Sequence, residues 1–401
     1  MLSVAQAKSE LEPMLHGTTL DQVGNITGVF NRAARQLLLD IDPQETKRSA
    51  ILTLPVYCGT YDYITPTDLK GNKIIDLYPQ GTWNMREVFT QVFNQDFDVN
   101  KNYPMMNTFT MLHNSGQKVL RISYNNTSRN ILLNSASALT GNGAWLASGT
   151  ASNLSVDNQF MDNGQPVLKF DITTGAGYLN NTTIPALDLT NHLNQSGIFL
   201  DIIIPSGGAS KLTSVDIRIG SDPANYWEVT GLNTTFQGKA FIDGLNNLYT
   251  LFSSMTKVGN PDITKITCLR MTFTASAAIT GLEFAQIWSK LGFISSVEYY
   301  SKYLFSDIAG IWKETTTDDS DLINLDTESY NIFMYLLQIF ANQQALGQNA
   351  SFDAIFSDTG YQKAVIRYKS LYKSEVSNTH GTYYRKTFNG YRDLVGRNVQ
   401  H

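Results

Sequence analysis

Two cysteines in 401 residues are too few for a disulfide framework, and Cys58 and Cys268 lie far apart, each inside an apolar, strand-like run. Both are read as buried free thiols. Charge is also scarce. Only 16% of residues are Asp, Glu, Lys or Arg and the net charge is −5, which excludes a general electrostatic pull toward nucleic acid or an anionic membrane. No stretch reaches the roughly 20 apolar residues that span a bilayer. The opening MLSVAQAKSELEPM has no basic start followed by an apolar core, so the expectation is a chain made soluble in a cytoplasm without a secretory signal. The five histidines, His16, His113, His192, His380 and His401, never fall at metal-ligand spacing. Neither a Gly-X-Ser-X-Gly elbow, a phosphate-binding loop nor a dinucleotide fingerprint occurs. No catalytic residue is assigned.

What is present is β-patterned in the middle and helical at the ends. Ser3 with Gln6 and Thr19 with Gln22 are spaced as capping boxes, and Val23, Ile26, Phe30, Ala33 and Leu37 form one apolar stripe that stops at Asp42-Pro43. Strands are expected over Ala50–Cys58 and Lys73–Tyr78, and a hairpin joins 109–112 to 119–124. From about 130 to 293 short strands recur between Gly, Asn, Ser and Thr clusters, as in a sandwich. The many Asn-X-Ser/Thr triplets fit that turn chemistry. In LTSVDIRIGSDPANYWEVTG, Val215, Ile217 and Ile219 alternate with Asp216 and Arg218, giving a strand with one buried and one wet face. Leu168, Phe170 and Ile172, and then Leu269, Met271 and Phe273, repeat the pattern. Gly197–Ile204 is an apolar run covered on both sides, and Leu282 with Phe284 marks the closing strand.

After an acidic loop holding Glu314, Asp318, Asp319, Asp321 and Asp326, residues 327–346 form a helix apolar almost all round, which must be covered by this chain or by a neighbour. A second, amphipathic helix follows through Tyr361, Ala364, Val365, Tyr368, Leu371 and Tyr372, and then a basic tail. The fold class is therefore mainly β with helical ends. Its segments are a helical one at 1–45, a β-rich connector at 46–129, a jelly-roll sandwich at 130–293 and a C-terminal helical arm at 294–401.

The order GIFLDIIIP, LTSVDIRIGSDPANYWEVTG, LYTLFSSMTKVGNPDITKITCLRMTFT and AITGLEFAQIW resembles jelly-roll domains of the carbohydrate-binding and laminin-G-like type. The residues carrying the likeness are Gly220, Ser221 and Asp222, then Asn225, Tyr226 and Trp227, and then Gly259, Pro261 and Asp262. Set between helical ends in an Asn- and Tyr-rich chain, the sandwich resembles virion structural proteins of tailed bacteriophages. INLDTESYNIFMYLLQIFANQQALG and YQKAVIRYKSLYKSEVSNTHGTYYRK resemble the helical ends that pack between subunits of phage heads, necks or tails. That likeness implies a non-enzymatic assembly protein, made in a host cytoplasm and partnered by copies of itself and other virion proteins. Its subunit contacts would come from Tyr330, Phe333, Leu337, Phe340, Tyr361, Arg367, Tyr368 and Arg385.

The alternative is a carbohydrate-binding module for cell-surface glycans. The aromatic platforms would be Trp145, Tyr178, Tyr226 and Trp227, each weighed against a plain core role, since about half the aromatics of alternating strands face inward. A glycan hydrolase is a third reading, with Asp201, Asp216 and Glu228 as carboxylates set against a solvated role. The jelly-roll likeness also brings a structural calcium, for which Asp157, Asp162 and Asn163 could supply oxygens. Such domains place an Asp in the closing strand where this chain reads Phe284-Ala285-Gln286, so no cofactor is assigned. In the tail, Tyr383, Tyr384 and Tyr391 interleave with Arg385, Lys386 and Arg392, a pattern that suits protein contact better than stacking on nucleic acid.

Overall fold

Alternating apolar residues fold the middle of the chain into antiparallel strands, and the two helical ends gather into a unit of their own. In the computed structural model the described residues are 2–15, 17–80, 89–91, 107–114, 117–124, 130–162, 164–347, 355 and 358–376. They form a helical unit of Met1–Ala50, Pro66–Asp76 and Glu298–His401, and a sandwich unit of Ile51–Thr65 and Leu77–Val297. The N- and C-terminal segments that the sequence reading kept apart thus belong to one unit. Mainly β with helical ends is the architecture observed.

The helical unit has α1 (Val4–Leu11), α2 (Leu20–Val23), α3 (Ile26–Asp40), α4 (Thr327–Ala345) and α5 (Thr359–Val376). Both capping boxes form. The stripe from Val23 to Leu37 is divided between two helices, because Gly24 leaves helical geometry and Asn25 caps α3 by accepting from the Gly28 N–H at 2.9 Å. Val29, Phe30, Ala33, Leu37, Ile332, Phe333, Leu336, Leu337 and Phe340 are buried in one cluster. The rings of Phe30 and Phe333 meet edge to face at 5.9 Å. The nearly all-apolar helix is therefore covered by its own chain.

The acidic loop is likewise committed within this unit. Asp319 pairs with Lys8 at 2.5 Å and Glu314 with Lys302 at 2.9 Å. Asp326 caps α4 and accepts from the Tyr372 hydroxyl at 2.8 Å. Asp321, whose side chain is 1% exposed, receives the Lys313 ammonium at 2.7 Å and the Thr316 hydroxyl at 2.9 Å. Burial raises its pKa, but Lys313, Thr316 and the Thr317 and Asp318 N–H groups outweigh that and hold the carboxyl below its ordinary 3.8. A carboxyl depressed in the folded state contributes stability that is complete above its unfolded pKa and is lost as pH falls through the folded value. Asp321→Asn is expected to cost about 2 kcal/mol at neutral pH and to flatten the acid limb of the helical unit's unfolding curve. Denaturation followed by circular dichroism between pH 7 and pH 2 would show an unchanged acid limb if this pairing were unimportant.

The sandwich unit contains β1 (Gly59–Ile64), β2 (Thr108–Asn114), β3 (Gln117–Tyr124), β4 (Asn130–Asn134), β5 (Trp145–Asp162), β6 (Gln165–Asn181), β7 (Ser196–Ile204), β8 (Leu212–Asp222), β9 (Asn225–Leu232), β10 (Gly244–Leu251), β11 (Thr256–Val258), β12 (Cys268–Ala275) and β13 (Ile279–Leu291). The expected hairpin is β2–β3. The strand expected over Ala50–Cys58 is not continuous: it ends at Ile51, and beyond Pro55, which has no N–H to donate, only an isolated bridge from Val56 to Phe293 remains.

The long hairpin β5–β6 is shared by two layers. Leu168–Ile172 of β6 pairs with β13, and Gly175–Asn181 pairs with β12 on the same edge. Layer A therefore runs β10–β7–β13–β6–β5, and layer B runs β5–β6–β12–β8–β9–β11. Between the two halves four residues, 173–176, stand opposite Thr150 alone. Such an excess on one strand bends the hairpin from one layer into the other. Inward residues of both layers meet in one core, with Phe170 of layer A 4.9 Å from Phe273 of layer B.

Candidate functional site

Because Val215, Ile217, Ile219, Leu269, Met271, Phe273 and Leu179 all turn inward, the residues between them form the outer face of layer B. These are Tyr178 and Asn180 on β6, Arg270 and Thr272 on β12, Asp216 and Arg218 on β8, and Tyr226 and Glu228 on β9. Strand register aligns Asn180, Arg270, Arg218 and Glu228 in a row across four strands. Tyr178 and Tyr226 lie at opposite corners, roughly 20 Å apart by strand geometry. Each ring is held by an arginine: the Arg270 guanidinium lies 4.1 Å from the Tyr178 ring centre and that of Arg218 lies 4.4 Å from Tyr226. Arg218 Nε also donates to Glu228 Oε1 at 2.6 Å. Asn180 donates to Ser148 at 3.2 Å, and Asp216 accepts the Gly231 N–H at 2.8 Å. Gly149 makes room at one corner, since its φ is +67° and a Cβ there would lie 2.7 Å from the Tyr178 ring.

Of the four aromatics expected to contact a sugar, the structure brings two, Tyr178 and Tyr226, to this face. Trp145 and Trp227 are corrected to core positions, 4% and 6% exposed. They occupy the inward turn of their strands. Trp145 packs edge-on to Phe284 and donates from Nε1 to Asn134, while Trp227 packs edge-on to Phe252. Arg218 and Arg270 were not singled out from sequence. Their positions in the alternation mark them as outward, but nothing local shows that each stacks on a tyrosine from another strand.

The residues expected at subunit contacts are placed differently. Phe333, Leu337, Phe340, Tyr361 and Tyr368 are buried in the helical unit's own core. Their apolar surface is covered within the chain, so it is not offered to a neighbour. Tyr330 bonds Glu10 at 2.8 Å, and Arg367 is exposed and pairs with Glu328 at 3.2 Å. Arg385 and the tail's tyrosines lie outside the described residues.

The outer face of layer A is occupied by the sandwich unit itself. Phe199 and Tyr249 pack against Tyr57, Tyr61 and Phe236, and Lys290 donates to the Tyr61 hydroxyl at 2.7 Å. The Tyr57 and Tyr249 hydroxyls share a 2.7 Å hydrogen bond, and burial pushes the Tyr249 phenol up to about 12. A cavity of about 590 Å3 is lined by Gly207, Ala209, Leu212, Asn233, Phe241 and Asp243. Its carboxylate, Asp243, is taken by the Gly207 and Ala209 N–H groups.

The remaining candidates are structural in their contacts. The Gly-Ser-Asp and Gly-X-Pro-Asp segments that carry the jelly-roll likeness form two turns bonded to each other: Asp222 accepts from the Ala224 and Asn225 N–H groups, Asn225 accepts from the Asn260 N–H, and Ser221 accepts from the Asp262 N–H. The Asn225 amide, helped by those N–H groups, holds the Asp222 carboxyl below its ordinary value. Asp201 receives the Asn247 amide at 2.5 Å. Lys169 stands 3.0 Å from Asp157 and 3.6 Å from Glu283, supplying positive charge beside the one expected calcium donor whose side chain is described. Burial, then the Asp157 charge, push the Glu283 carboxyl up against the pull of Lys169. His192 shares a 2.8 Å hydrogen bond with Ser289, which is fully buried, and burial lowers the His192 pKa. Among the described residues no cluster of three or more His, Cys, Asp or Glu could hold a metal.

No family model matches this chain, and no curated protein does. Solved structures do. A family 30 carbohydrate-binding module of a cellulosomal cellulase of Clostridium thermocellum is similar at 14% identity and a TM-score of 0.29, over 41% of this chain and 96% of its own. A family 11 carbohydrate-binding module from the same organism, solved with a β-1,3-1,4-mixed-linked tetrasaccharide, is similar at 11% identity and a TM-score of 0.29, over 41% and 95%. SGBP-B, from a complex xyloglucan utilization locus in Bacteroides uniformis, is similar at 11% identity and a TM-score of 0.30, over 62% and 72%. None of these is named as a phage component. At such identities and scores the likeness does not extend to what the modules bind.

Proposed function

We propose that this chain binds a saccharide on the outer face of layer B and performs no chemistry on it. The observation that carries this reading is the pair Tyr178 and Tyr226, each fixed by a guanidinium, at two corners of a sheet face rich in polar side chains. A tyrosine offers an apolar ring for the hydrophobic face of a pyranose and a hydroxyl for its rim. Arginine fixes the plane of each ring, and the part of the ring left exposed serves as the platform. A ligand touching both corners must be an oligosaccharide, given their separation.

Tyr178→Ala and Tyr226→Ala are each expected to weaken binding at least ten-fold, read on a glycan array and then by titration with the best glycan it returns, with the thermal midpoint little changed. The unmodified protein is expected to release no product from that glycan. Binding that survives both substitutions, or an array without a hit, would refute the reading.

A further inference from the structure

We infer that the saccharide bound on this face carries a carboxylate and that Arg270 receives it; the inference rests on the saccharide-binding reading above. β8 and β12 set Arg218 directly opposite Arg270 on the outer face. Like charges in a directly opposed pair repel one another. Among the described residues Glu228 pairs with Arg218 alone, through the 2.6 Å bond from its Nε. Asp216, the other carboxylate of the face, is engaged by the Gly231 N–H. Among the described residues no carboxylate comes within ion-pair reach of Arg270, and its Nε is shielded from water without a hydrogen-bond partner. The uncommitted charge of the face is therefore positive and sits on a planar group.

A guanidinium held 4.1 Å from the centre of the Tyr178 ring is pre-oriented. Little side-chain freedom is lost when it binds. Its remaining N–H groups form a fork that matches a carboxylate with two parallel, charge-assisted hydrogen bonds. Sugar hydroxyls would leave its charge unanswered. The ligand class is thus a saccharide with a carboxylate on a pyranose ring, supplied either by a uronic acid within a chain or by a terminal sialic-type acid.

The test uses the full chain and matched probes. Oligogalacturonate is compared with its fully methyl-esterified form, and sialyllactose with lactose, each by calorimetric titration at low and high salt, beside an array of neutral and acidic glycans. The expected result is that the acidic member of at least one pair binds ten-fold or more tightly than its neutral counterpart and weakens with salt. Arg270→Gln should abolish that difference without shifting the thermal midpoint, and Arg270→Lys, which keeps the charge but not the fork, should restore only part of it. Which pair responds distinguishes uronate from sialate. Equal binding of acidic and neutral members, or array binding confined to neutral glycans, with Arg270→Gln leaving affinity unchanged, overturns the carboxylate inference while the saccharide reading stands. Absence of binding to every probe overturns both.

Discussion

A chain ending at Asp326 is expected to lose the fold of its helical unit. Ile332, Phe333, Met334, Leu336, Leu337 and Phe340 of α4 are all buried against the N-terminal helices and their surroundings. Burying each such side chain stabilises by about 1.5–3 kcal/mol, so their joint removal withdraws on the order of 10 kcal/mol. That is comparable with the whole net stability of a domain, about 5–15 kcal/mol. The truncated chain should lose helical circular dichroism beyond the residues removed, bind a hydrophobic dye and aggregate on size exclusion. A milder change, Phe333→Ala, should cost about 3–5 kcal/mol. If the truncated chain were instead a compact monomer with α1 and α3 intact, α4 would be an appendage, available for the subunit contacts expected of it from the sequence.

Trp145→Ala and Tyr178→Ala should separate core from surface on neighbouring strands of one hairpin. The first empties a site 4% exposed and leaves Asn134 without its indole donor, so about 3–5 kcal/mol of sandwich stability should go. The second removes a partly exposed ring and one cation–π contact, worth about 1 kcal/mol or less. Urea unfolding followed by tryptophan fluorescence for Tyr178→Ala, and by circular dichroism for Trp145→Ala, measures both. Equal losses would mean that Tyr178 belongs to the core and cannot be a platform.

Much of this architecture was legible in the sequence. The period of two at Val215, Ile217 and Ile219 specified β8 and its inward side, and the capping boxes at Ser3 and Thr19 specified two helix starts. These signals are local, because a side chain's direction along a strand or helix depends on its near neighbours. The break at Gly24 was within reach as well, but the apolar spacing across it hid the cap at Asn25. The four aromatics were harder. Tryptophan and tyrosine suit both a core and a platform, and strand register, not residue type, put Trp145 and Trp227 inside and Tyr178 and Tyr226 outside.

The sequence by itself determined most of the elements and their apolar faces, and therefore a mainly β chain with helical ends. Only the tertiary structure decided what covers α4, that Asp321 and Asp326 serve their own unit, and that Arg218, from β8, and Arg270, from β12, meet side by side with a tyrosine stacked on each. Periodicity says which way a side chain points. Its neighbour across the sheet depends on which distant strand pairs there and in what register, and that choice is made by the packing of the whole core.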